Sequence, residues 1–341
     1  MRLTRETLIK IARDSANQRA RVSRRIISIY LTGSVLEEEP LLGGTTDIDL
    51  VIIHDSEPIQ EREIVRLTDD IHLDISHYPQ SLFHQPRRLR SDPWLGPFIY
   101  NKPLVFHDTQ HWFDFTQAAT GAQFFQPDYV IQRAGALAQT ARQTWMELTL
   151  NPPESLSARV SAFLKAIENA GNALVSLSGT PLTERRFFLH IPHRLQSLHR
   201  PELTAGLVHL FLPEETGWEA AWPELLDAYK NAYHVCSGLP EAPARLHPSR
   251  LAYYTRAAAA LWEENPAAAI WIIMRTWTLM AELLPPQDPA QAGWLSAVRA
   301  LQLDDAAFAR RLEEMDQYLD QAEEALDEWA RKNGVSTLSE I

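Results

Sequence analysis

The chain has 341 residues, 45% hydrophobic and 22% charged, with a formal net charge of −12. That length accommodates two domains with full cores, and the acidic balance disfavours a broad nucleic-acid surface, which needs clustered cations. The one cysteine, Cys236, excludes an intramolecular disulfide and a cysteine-based zinc site.

No run of about 18 apolar residues predicts a membrane span. The opening Met1-Arg2-Leu3-Thr4-Arg5-Glu6 lacks the apolar centre of a signal peptide, so a cytoplasmic location is the expectation. Thr4 is placed to cap a helix running to about residue 20, with Leu8, Ile11 and Ala12 on one face. Arg19, Arg21, Arg24 and Arg25 then crowd into seven residues. At a helix C-terminus they complement the dipole; phosphate contact is the alternative. Residues 26–31, Ile-Ile-Ser-Ile-Tyr-Leu, read as a buried strand. Residues 47–53 form a second strand, and residues 63–67 and 71–77 flank Thr68-Asp69-Asp70 as the arms of a β-hairpin. A helix is the alternative for the first arm. A short strand is expected at residues 103–106.

Beyond about residue 120 the spacing turns helical, over 128–150, 154–177, 222–236, 249–264, 267–284 and 304–332. Asn151-Pro152-Pro153, Ser178-Gly179-Thr180-Pro181, Gly238-Leu239-Pro240 and Pro285-Pro286 supply the breaks. The expected fold class is α+β: a small mixed sheet flanked by helices in residues 1–115, then an all-α helical bundle in 122–341.

The stretch richest in chemistry runs Leu31-Thr32-Gly33-Ser34, twelve residues, Asp47-Ile48-Asp49-Leu50, and later Leu73-Asp74-Ile75. Strand side chains alternate faces, so Asp47 and Asp49 share one face while Ile48 and Leu50 point to the core. If the strand of Asp74 is a neighbour, three carboxylates converge. Such a cluster repels itself unless a cation neutralises it. Magnesium suits it, since it takes oxygen ligands from one or two carboxylates plus substrate phosphates, and two ions can serve phosphoryl chemistry. Gly33 allows close backbone approach to a phosphate, and the following amides and the Ser34 hydroxyl can donate to it.

Gly33-Ser34, Asp47-Ile48-Asp49 and Asp74 together resemble the catalytic signature of the DNA polymerase β-like nucleotidyltransferase superfamily. The short first domain and helical second domain look like the bacterial small-molecule nucleotidyltransferases, including the aminoglycoside-modifying ones. The resemblance is specific over residues 26–78, weaker to 108 and architectural beyond. It implies that Gly33 and Ser34 contact a triphosphate and that Asp47 and Asp49 ligate metal, with two Mg2+ ions expected. Asp74 completes that metal site or takes the acceptor's proton. The implied reaction is in-line attack of an acceptor hydroxyl on the α-phosphorus of ATP, transferring AMP and releasing pyrophosphate. The linker from Ser34 to Asp47 is on the long side for such enzymes, and its Glu37-Glu38-Glu39 is expected to face solvent.

The resemblance also implies that the helical domain covers the nucleotide and supplies part of a small-molecule acceptor pocket, and that a homodimer is plausible. Lys165, Glu168, Asn169 and Asn172 form one polar stripe, with Lys165 a candidate for phosphate and Glu168 for the acceptor; a solvated face is the alternative. Arg185-Arg186 can grip a phosphate or pair with local acids. Of the 12 histidines, neither His107/His111 nor His190/His193 has a recognised metal spacing. His72 shares the face of Asp74 and is a candidate nucleotide contact, while His77 points away. Trp94, Phe98 and Tyr100 are candidates for a site wall or base stacking; Trp262, Trp271 and Trp277 are expected in the core or a domain interface. No Walker loop, dinucleotide fingerprint or Ser-His-Asp nucleophile motif is present. Two further functions compete: adenylylation of a protein, as by antitoxin-like members of the superfamily, and nucleotide binding without turnover. A CCA-adding or poly(A) polymerase role is disfavoured by the acidic charge.

Overall fold

The computed structural model describes residues 4–214 and 217–338. The chain divides into two compact units, Met1–Phe125 and Gln126–Ile341. The first is built from α1 (Arg5–Val22), β1 (Ile26–Thr32), β2 (Thr46–His54), β3 (Arg62–Arg66), β4 (Ile71–Pro79), α2 (Pro86–Ser91), α3 (Leu95–Tyr100), β5 (Leu104–Asp108) and α4 (Trp112–Gly121). The second holds α5 (Pro127–Leu150), α6 (Leu156–Val175), α7 (Phe187–Ser197), α8 (Glu202–Phe211), α9 (Trp218–Cys236), α10 (Leu251–Leu261), α11 (Pro266–Leu283), α12 (Gln291–Ala300) and α13 (Phe308–Lys332). The fold is therefore mixed α and β, a five-stranded sheet with helices followed by helices alone.

Thr4 caps α1, its side chain accepting from the Thr7 amide, as a threonine at a helix start should. Strand order is β3-β4-β2-β1-β5. The β2 and β4 strands run parallel, and every other pair is antiparallel. The hairpin expected around Thr68-Asp69-Asp70 is present as β3 and β4, with Arg66 opposite His72.

Alternation along the strands divides the sheet between two cores. Ile29 and Leu31 of β1, Ile48, Leu50 and Ile52 of β2, and Leu73 and Ile75 of β4 pack with Leu8, Ala12 and Ala16 of α1. On the opposite face Tyr30, Val51 and Ile53 pack with Leu89 of α2, Ile99 of α3 and Phe113 of α4. Asp47 and Asp49 precede Val51 on that second face, so the sheet itself separates the acids from the core under α1.

That α1 face also carries a polar chain. His54 Nε2 lies 2.9 Å from His77 Nδ1, His77 Nε2 is 3.6 Å from Glu63, and Glu63 accepts two 2.8 Å hydrogen bonds from Arg19. Burial holds both histidines below their ordinary value, helped by Arg25 at His54 and by His54 at His77. Of the remaining crowded arginines, Arg25 pairs with Asp55, and Arg21 and Arg24 are exposed at the end of α1.

In the second unit α11 is buried nearly all round, as expected of a helix without a polar face. Phe187, Phe188 and Phe211 surround Trp271 at 5.0–5.2 Å. Arg142 of α5 binds Asp316, Asp320 and Glu323 of α13. Short helices α2, α3, α4, α7, α8 and α12 were not expected from spacing: α2 and α3, six residues each, are too brief to repeat a 3.6-residue pattern, and α3 and α7 contain Pro97 and Pro192. The α9 helix starts at Trp218, earlier than its apolar spacing suggests, and a 3-10 turn at Pro248–Arg250 precedes α10.

Leu50 is 1% exposed, so Leu50→Ala should destabilise the first unit by about 2–5 kcal/mol, read as a lower urea midpoint. A histidine pKa depressed by folding stabilises above the unfolded value near 6.5 and loses that contribution as pH falls through the folded value. The urea midpoint of the first unit should accordingly drop between pH 7.5 and about 5.5, before carboxylates titrate. The paired replacement His54→Asn/His77→Asn should flatten that drop.

Candidate functional site

The three aspartates meet because of strand register. Asp49 stands opposite Asp74 in the parallel β2–β4 pair, and Asp47 stands opposite His72. One carboxylate oxygen from each of Asp47, Asp49 and Asp74 lies within 4.8 Å of the others. Asp47 and Asp74 are buried, and Asp49 is partly so. Ligand oxygens about one cation at roughly 2.1 Å are separated by about 3–4 Å. Three hard oxygen donors at this separation fit a hard divalent cation, and the absence of sulfur or imidazole in the set sets it apart from a structural zinc site.

The turn after β1 closes on the same place. Gly33 has φ 77 and ψ −161, a region that only glycine enters without strain. A Cβ built on Gly33 would fall 1.9 Å from Asp49 Oδ2, so the glycine backbone lies directly against that carboxylate. Ser34 opens a 3-10 turn, Ser34–Leu36. Its hydroxyl is 3.3 Å from that of Thr46, which donates to the Asp47 carbonyl at 3.1 Å. Arg5 of α1 completes the support, donating from Nε to the Val35 carbonyl at 3.0 Å and from Nη2 to the Leu36 carbonyl at 2.9 Å.

Arg62 is the residue that sequence reasoning missed. Its Nε lies 2.7 Å from Asp74 Oδ1 and its Nη2 2.5 Å from Oδ2, a two-pronged charge-assisted pair of the stronger kind. The signal was within reach: Arg62 opposes Ser76, two residues from Asp74 on the same face, but the first hairpin arm was read from residue 63. Arg5 and Thr46 carried no comparable signal, because their roles depend on packing across the sheet.

The other candidates fall as follows. His72 is buried beside Asp47 in register, and His77 faces α1 as expected. Glu37, Glu38 and Glu39 are exposed. Tyr100 stacks on Phe124 at 4.7 Å, while Trp94 and Phe98 are partly buried. On α6 the polar stripe is split. Lys165 is exposed, Glu168 pairs with Arg275 of α11 at 2.8 Å, and Asn172 is buried, bonding both the amide and the carbonyl of Leu182. Arg185 and Arg186 belong to a 3-10 turn, Glu184–Arg186, rather than to an open loop. Arg185 lies 3.6 Å over the Tyr253 ring, and Arg186 donates to His190 at 3.3 Å. Trp271 and Trp277 are core, and Trp262 stacks on Trp222 at 4.2 Å. Among the described residues a second acidic group, Asp108, His111 and Asp114, is largely exposed; Asp108 there caps α4 through the Phe113 amide.

No protein-family profile matches the sequence, and no curated protein matches it. Among solved structures the chain is similar to a nucleotidyltransferase-like protein from Exiguobacterium sibiricum 255-15, at 10% identity and a TM-score of 0.31. That similarity covers 75% of this chain and 90% of the other. Among the described residues, no helix is long and apolar enough to cross a membrane.

Gly33→Ala should push Asp49 out of place, since the added methyl overlaps its carboxylate. The expected result is a Mn2+ affinity at least about tenfold weaker, with a far-ultraviolet circular dichroism spectrum unchanged. Unaltered Mn2+ affinity would show that Asp49 is not a ligand.

Proposed function

We propose that the chain is a metal-dependent nucleotidyltransferase that moves a nucleoside monophosphate, AMP from ATP, onto a hydroxyl of a small-molecule acceptor and releases pyrophosphate. The observation that carries this reading is the meeting of Asp47, Asp49 and Asp74 within 4.8 Å beside the Gly33–Ser34 turn. Either half alone is a common structural accident, whereas their adjacency gives one place for a cation and one for phosphates.

In this reading Asp47, Asp49 and Asp74 hold Mg2+, two ions when the triphosphate is present. The cation, when bound, supplies charge neutralisation for the phosphates and polarises the α-phosphoryl group. Gly33 brings backbone against the phosphates without a side chain in the way, and the amides of the turn with the Ser34 hydroxyl donate to them. Arg5 keeps that turn closed through the Val35 and Leu36 carbonyls, so the donors are aligned before the ligand arrives. Asp74 is the candidate that accepts the acceptor's proton during in-line attack. His72, beside Asp47, is a further candidate contact to the nucleotide. Lys165 is a candidate for the acceptor side by its exposure; Glu168 would serve there only on release from Arg275.

Calorimetric titration of ATP with Mg2+ tests the reading. Wild type should bind only with the metal, and Asp47→Asn/Asp49→Asn should weaken binding by more than about 100-fold. With α-labelled ATP, label is expected on a small-molecule acceptor. Label on protein would move the assignment to protein adenylylation, and binding without pyrophosphate release under any acceptor would leave a nucleotide-binding protein.

A further inference from the structure

The edge strand β3 begins with two residues that face opposite ways. Glu63 reaches the α1 side, where Arg19 donates two 2.8 Å hydrogen bonds to it. Arg62 reaches the acid side and engages both oxygens of Asp74. The two partners differ in exposure: the Arg62 side chain is 39% exposed and that of Asp74 is 3% exposed. Asp74 is enclosed in the sheet, and Arg62 is the member that reaches solvent.

We propose, on the reading that the three aspartates hold a metal–triphosphate complex, that Arg62 is a positioning residue that makes cation loading depend on the triphosphate. A guanidinium on Asp74 cancels part of the negative charge that draws a dication, and it repels a dication placed on the same carboxylate. It also keeps both Asp74 oxygens occupied in one plane. A triphosphate reverses both effects, because it brings oxygens for the cation and a planar acceptor for the guanidinium fork. Arg62 therefore opposes the bare cation and favours the cation that arrives with phosphates. Glu63, anchored to α1 through Arg19, holds the base of the strand from which Arg62 swings. By linkage, the cation must raise triphosphate affinity by the same factor through which the triphosphate raises cation affinity, and a variant that shrinks one must shrink the other.

The test uses the full chain and Mn2+ as the probe, with free Mn2+ read by electron paramagnetic resonance. Titrations are run with and without an adenosine triphosphate analogue whose α–β bridge is a methylene group. Wild type should bind Mn2+ at least about tenfold more tightly with the analogue than without it. In Arg62→Ala, bare Mn2+ should bind about three- to tenfold more tightly than to wild type, and the gain from the analogue should shrink below about threefold. Arg62→Lys, which keeps the charge, should stay near wild type for bare Mn2+. Arg62→Gln repeats the neutral test with a polar chain should the alanine variant fail to fold. Bare Mn2+ affinity unchanged or weaker in the neutral variants, with the analogue's gain intact, overturns the role of Arg62 and leaves the three-aspartate site standing. Wild type that takes up no Mn2+ under either condition overturns both.

Discussion

Three carboxylates held within 4.8 Å of one another repel, and two of them are buried where water screens poorly. The arrangement around them answers that repulsion by rigidity and by a cationic side chain. Rigidity comes from the parallel pairing of β2 with β4, which sets Asp49 against Asp74 while hydrophobic residues on the opposite face lock both strands under α1. The cationic side chain is that of Arg62, which grips both oxygens of Asp74, the most enclosed acid among the described acid–arginine pairs of this unit. The glycine at the end of β1 then fits the space left beside Asp49. None of these features explains itself alone, and each is accounted for by the charge cluster.

The parts legible in the sequence were those governed by local rules. Alternation of Asp47, Ile48, Asp49 and Leu50 gave the two faces of β2, and Thr4 gave the start of α1. The hairpin was visible because polar Thr68-Asp69-Asp70 separates two apolar arms. What could not be read was non-local. Nothing between Ser34 and Asp74 says that β4 pairs with β2 in parallel, and the acid cluster depends on that pairing. Arg62 was lost to a strand boundary placed one residue late, the kind of error that moves a side chain in or out of a site without changing the fold. On α6 the spacing groups Lys165, Glu168, Asn169 and Asn172 on one stripe, but periodicity does not say what lies opposite, and the four range from exposed to buried. Arg275, distant in sequence, takes Glu168, and Leu182 takes Asn172.

The second unit has a different economy of polar groups. Arg142 and Arg311 are spent on structure: the first ties α5 to α13, and the second, fully enclosed, donates to the Leu210 carbonyl and pairs with Glu314. Aromatic rings around Trp271 fill the space between α7, α8 and α11. Trp271 and Trp277 lie in the core, as the sequence leads one to expect, and arginines such as Arg142 and Arg311 serve hydrogen bonds around it. Their abundance in this unit follows from the volume and hydrogen-bonding needs of a large helical core.

The α1 helix touches the acid site twice without contributing an acid. Arg5, in its first turn, closes the turn after Gly33, and Arg19, in its last, grips the strand that carries Arg62. They stand fourteen positions apart, about 21 Å of helix at 1.5 Å per residue. The helix is thus a ruler as well as a cover. Adding or removing one residue between the two arginines would rotate one against the other by about 100°, releasing either the turn or the strand even though every buried side chain could find an apolar neighbour. Its length is held by its two ends, and hydrophobic packing alone would not have required that.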